Sequence, residues 1–74
     1  MARLIRLDRT GHTTLAEWTE DDAAAQDAAV EAFRHELDNG MLASVPHPDG
    51  SAEVVRDLPL DAELVVLRRP IAGG

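Results

Sequence analysis

The sequence contains no cysteine and no lysine, and its aromatic content is one tryptophan, Trp18, and one phenylalanine, Phe33. Without cysteine there is no disulfide, no thiolate nucleophile and no thiolate metal ligand. With two aromatic rings, the core has to be built mainly from aliphatic side chains. No window approaches the ~20 consecutive apolar residues that a membrane helix needs. The first eight residues, Met-Ala-Arg-Leu-Ile-Arg-Leu-Asp, hold no apolar run of signal-peptide length. The expected location is therefore the cytoplasm.

What is present fits one small folded domain. Seventy-four residues, 45% hydrophobic and 28% charged, have the composition of a globular chain. A chain of this length buries roughly 60% of the surface it exposes when unfolded, so its core is thin. The formal net charge is −7. Such a surface repels phosphate, which argues against nucleic acid and against anionic membranes as partners. A basic groove on a partner protein is the expected complement. All seven basic residues are arginine.

Residues 2–7 read as a first strand, and Thr10-Gly11 as the turn of a hairpin. Residues 13–18 read as a second strand, with Thr14, Ala16 and Trp18 on one face and Thr13, Leu15 and Glu17 on the other. This pattern leaves open which face is inward. An Ala-rich helix runs to Leu37, with Thr19 expected as N-cap and Asp22 three residues on. Glu20, Asp21 and Asp22 would complement its positive end. Ala23, Ala29, Val30, Phe33 and Leu37 form its apolar stripe, and Arg34 and Asp38 are spaced to pair. Asn39-Gly40 ends it, with Gly40 left-handed.

Residues 41–45 and 52–55 read as strands around the turn Pro46-His47-Pro48-Asp49-Gly50. Residues 57–61 form a compact connection with room for one helical turn. Residues 63–68 are the most apolar strand, as expected of a strand at the sheet centre beside the first. Pro70 stops it. The order is ββαβββ, or ββαββ if the fourth strand is marginal; one helix on a mixed sheet makes an α+β domain, and the β-grasp arrangement is the leading topology. Residues 1–69 form the domain and 70–74 a flexible tail.

The run from Leu58 to Gly74, with its charged turn, apolar strand and closing Pro70-Ile71-Ala72-Gly73-Gly74, resembles the end of ubiquitin-like sulfur carriers. These include the small subunit of molybdopterin synthase and the thiamine sulfur carrier. Arg68-Arg69 before the diglycine is similar to ubiquitin itself, and the whole also resembles small bacterial ubiquitin-like proteins. The motif covers the last quarter of the chain. The Ala-rich helix departs from the Leu-rich helix usual in the carriers. The resemblance implies a substrate and carrier rather than an enzyme. Gly74 would be the acyl attachment point, adenylated by an E1-like enzyme. An E2-like protein or a JAB-type peptidase would be a further partner. No cofactor would be bound, and ATP would be consumed by the activating enzyme.

The residue types suit that chemistry. Glycine lacks a Cβ, so Gly73 and Gly74 fit a narrow tunnel and leave the carbonyl open to attack. Pro70 stiffens the tail and biases Arg69 to extended geometry, lowering the ordering cost of insertion. Ile71 and Ala72 complete the threaded segment. Arg68 and Arg69 can grip acidic groups on the activating enzyme. A chain without lysine offers no side-chain amine to extend lysine-linked chains. Leu64 and Val66 would lie on the sheet face away from the helix and form a docking patch, while Val65 and Leu67 point inward. A β-grasp domain also serves as a plain interaction module, which is the competing reading. His12, His35 and His47 lack metal-ligand spacing. Asp21-Asp22 and Asp61/Glu63 are explained by a helix start and a turn. Ser44 and Ser51 have no visible base partner.

Overall fold

The computed structural model describes residues 1–70. The elements are β1 (Ala2–Asp8), β2 (Gly11–Trp18), α1 (Ala23–Asp38), β3 (Leu42–Pro46), β4 (Ala52–Val55) and β5 (Leu64–Arg68). They form one five-stranded sheet in the order β2-β1-β5-β3-β4, with the helix packed on one face, an α+β arrangement of β-grasp type. The last strand lies at the centre. It runs parallel to β1, with Leu4 opposite Val65 and Ile5 opposite Val66, and antiparallel to β3, with Ala43 opposite Leu67.

Alternation along the strands sets the core. Leu4, Val65, Leu67 and Ala43 point under the helix and are fully buried, where they meet Trp18, Ala29 and Phe33. Burying a side chain of this size contributes about 1.5–3 kcal/mol. Trp18 fills the end of the core beneath the helix start. Its Nε1 donates to the carbonyl of Leu60 at 3.0 Å, so the polar atom of the largest core side chain is satisfied. That bond fixes the connection between β4 and β5, which is a turn closed by the Ala62 amide on the Pro59 carbonyl, with no helical turn.

The ambiguous face of β2 has a structural cause. Leu4 pairs with Ala16 and Ile5 with Thr14, so Leu15 is an extra residue in a β-bulge. A bulge breaks the two-residue period, so Thr14 leaves the face that Ala16 and Trp18 share. Leu15 and Ala16, adjacent in sequence, both pack against the core.

The helix starts later than expected. Thr19 is not its N-cap. The Thr19 carbonyl accepts from the Asp22 amide at 3.2 Å and from Gln26 Nε2 at 2.8 Å, closing a turn ahead of the helix. Asp22 is the cap, its carboxylate accepting from the Ala25 amide at 3.0 Å. Glu20 and Asp21 therefore precede the helix, and its first turn contains no acidic residue. Ala23 is exposed for the same reason. The inward stripe is Ala25, Ala29, Ala32, Phe33, Glu36 and Leu37. The C-terminus is as expected. Gly40 has φ +89°, its amide donates to Leu37 O, and the Met41 amide reaches back to Glu36 O. These two bonds are the Schellman pattern, which a residue with a Cβ forms only with strain. Arg34 and Asp38 do not pair. Among the described residues Arg6 forms an ion pair with Glu36, and His47 Nε2 lies 3.2 Å from Glu53 Oε1.

Candidate functional site

The tail leaves from the middle of the sheet. Strand β5 ends at Arg68, and Arg69 and Pro70 follow, all three exposed. Ile71, Ala72, Gly73 and Gly74 lie outside the described residues. Arg68 stands opposite Leu42 in the β3 register, and with Leu42, Arg69 and Pro70 it lines a shallow depression of ≈ 180 Å³. The two arginines thus flank the point where the chain departs.

Leu64 and Val66 occupy the sheet face away from the helix, as their alternation with Val65 and Leu67 requires. They are half-buried rather than exposed. Ile5, opposite Val66 in β1, is 8% exposed, and Ser44, opposite Val66 in β3, is also buried. The fully presented aliphatics of the neighbouring strands are Val54, 56% exposed, and Leu7, 44% exposed. The face is therefore a broad apolar centre with Leu64 and Val66 inside it, extending to Val54 on the outermost strand.

A second concavity lies at the same end of the sheet, on the helix side. It is an open groove of ≈ 840 Å³ between the β1–β2 hairpin, the end of α1 and Arg69. Arg6, Arg9 and Arg69 line it together with Asp8, Glu36 and Met41. Arg6 projects from the helix-facing side of β1, as Leu4 two residues earlier does. Its Nη1 donates to Glu36 Oε1 at 3.0 Å. Glu36 is 8% exposed, so this bond satisfies a carboxylate on the inward stripe of the helix. The Asp8 carboxylate is turned back on its own hairpin. It accepts from Thr10 Oγ1 at 2.7 Å and the Thr10 amide at 2.8 Å. Those bonds, the hydroxyl first, hold its pKa below the ordinary 3.8, with Arg6 adding a smaller effect in the same direction.

Sequence reasoning selected Arg69 for this region and missed Arg6, Arg9 and Glu36. The Leu4–Arg6 spacing marks Arg6 as helix-facing once β1 is accepted, and Glu36 lies three residues beyond Phe33. Nothing in the sequence marks Arg9, which reaches the groove through the hairpin turn. His12, His35 and His47 do not converge. Among the described residues no group of three or more His, Asp or Glu side chains is placed to hold a metal ion. No helix among them is long and apolar enough to cross a membrane. No family model, curated protein or solved structure matches the chain.

Proposed function

We propose that this protein is a ubiquitin-like carrier or modifier whose Gly74 carboxylate is activated by an E1-like adenylating enzyme. The observation that supports this reading is the position of β5. A central strand, paired on both sides, leads directly through Arg68, Arg69 and Pro70 to the sequence Ile71-Ala72-Gly73-Gly74. A tail rooted in the sheet centre is held by the most strongly tethered part of the domain, so the body can dock while the tail threads.

In this reading the Gly74 carboxylate attacks the α-phosphorus of ATP and pyrophosphate leaves. The resulting acyl-adenylate then loses AMP to a sulfur nucleophile or an amine. The first yields a thiocarboxylate for sulfur transfer, the second a conjugate; an E2-like protein and a JAB-type peptidase belong to the second route. The activating enzyme supplies the catalytic groups, and ATP places the reaction in the cytoplasm. The test is ATP–pyrophosphate exchange by an E1-like enzyme with the full chain, after intact mass has established that Gly74 carries the free carboxylate. Exchange that disappears on deletion of Gly74 supports the proposal. No exchange with such enzymes, or exchange indifferent to the deletion, overturns it.

The apolar sheet face favours a second reading, a module that docks a partner through Leu64 and Val66 without chemistry at the tail. That reading expects binding to survive removal of Gly73-Gly74 and to be lost in Leu64→Asp or Val66→Asp.

A further inference from the structure

The net charge of −7 is not spread evenly over the molecule. At the end of the sheet where β1 begins, Glu20, Asp21, Asp61 and Glu63 line one surface depression. At the opposite end, three of the seven arginines, Arg6, Arg9 and Arg69, line the groove between the β1–β2 hairpin and the end of α1. The two acidic groups in that groove are already engaged. Glu36 holds Arg6, and Asp8 accepts from Thr10. Arg9 and Arg69 are exposed and form no ion pair among the described residues. The groove therefore presents cationic hydrogen-bond donors beside the apolar side chain of Met41.

We propose that this groove is a docking site for an acidic segment of a partner protein, one that carries carboxylates alternating with aliphatic side chains. Guanidinium groups pair carboxylates through two parallel bonds, and Arg6 with Glu36 shows a carboxylate accommodated at the groove wall. A short segment feels the local positive potential. A nucleic acid or an anionic bilayer also meets the acidic remainder of the surface, which repels it. A second copy of this chain offers its acidic end as an occupant. That contact is heterologous, and each added copy brings another −7 charges. The proposal does not depend on what happens at Gly74.

The test is titration of the full isotopically labelled chain with a capped peptide of glutamates and leucines at low ionic strength, followed by amide chemical shifts. The expected result is a set of shifts confined to residues 6–9, Asn39, Met41 and Arg69, which fades as salt is added. Replacing both Arg9 and Arg69 by Glu weakens binding about tenfold or more, while the same charge change at Arg34 and Arg56 alters it less than about twofold. Undisturbed spectra of both double variants establish that each remains folded. Equal losses in the two variants, or shifts spread over other surfaces, overturn the proposal. So does displacement of the peptide by an equal concentration of inorganic phosphate. Tighter binding of phosphatidylserine vesicles than of the peptide, or concentration-dependent self-association abolished by Arg9→Glu, assigns the groove to another occupant and likewise overturns it.

Discussion

Consecutive residues of β5 belong to two different environments. Val65 and Leu67 lie beneath α1 with no exposed surface, closed in by Phe33 and Ala29 from above. Leu64 and Val66 share their backbone and their strand neighbours but have no helix over them, and they remain half-buried. On this second face the shielding is lateral. Ile5 is buried beside Val66, while Val54 at the margin is open to solvent. The comparison separates two contributions to burial that usually coincide, coverage by a packed layer and crowding by neighbours within a sheet. The first excludes water completely; the second leaves an apolar surface that another molecule can still cover.

Val65→Ala and Val66→Ala measure that difference directly, because the chemical change is identical at adjacent positions. Removal of two methyl groups from the covered face is expected to cost about 2–3 kcal/mol in urea denaturation, a large part of the stability of so small a chain. The same change at Val66 is expected to cost about 0.5–1 kcal/mol, because its lost area was only partly withdrawn from water. Equal costs at the two positions would break the comparison and show that the uncovered face is sealed in solution.

The covered face contains one ionic contact, and it provides a middle-sized test. Arg6→Met leaves the Glu36 carboxylate beneath the helix without its partner, at an expected cost of about 1–2 kcal/mol. Adding Glu36→Met to that variant should recover most of the loss, since an apolar pair of similar size leaves no shielded carboxylate without a partner. If the double variant is no more stable than Arg6→Met, the pair contributes through its geometry and not through the need to satisfy a shielded charge.

These faces were largely readable from residue order. The apolar run of 63–68, the Ala-rich helical stretch and Gly40 are strong local signals, and they place the helix, its end and the central strand correctly. The inward direction of Val65 and Leu67 follows from the two-residue period. What could not be read depends on tertiary context. Thr19 and Asp22 are both good capping residues, and the choice between them is made by the turn that Thr19 closes with Asp22 and Gln26. The bulge at Leu15 defeats any argument from alternation. The net charge suggested a basic partner, but a net charge has no direction. The hairpin that carries Arg9 to Arg69 gathers three of the seven arginines at one end, and no sum over the sequence contains that information.

The smallest expected effects belong to neither face, at two hairpin turns that lie at opposite ends of the sheet. Asp8 accepts from Thr10, and Asp49 accepts from the Ser51 hydroxyl at 2.6 Å and the Ser51 amide at 2.9 Å. Both carboxyl groups are held below the ordinary 3.8, chiefly by those hydroxyl bonds. A carboxyl whose folded pKa is depressed favours the folded chain fully above 3.8, and that contribution is lost as pH falls through the lowered folded value. Thr10→Ala should raise the Asp8 pKa toward 3.8, and Ser51→Ala should do the same for Asp49, each leaving the other turn untouched in a carbon-detected NMR titration. Arg6→Met should move Asp8 by less and Asp49 not at all, since Arg6 acts on Asp8 through charge alone and has no counterpart near Asp49. The full chain should then lose stability more steeply below 3.8 than either hydroxyl variant. A parallel acid transition in all three would mean that both turns release their carboxyl groups before the sheet gives way, and that acid unfolding begins at the ends of the sheet and not on its faces.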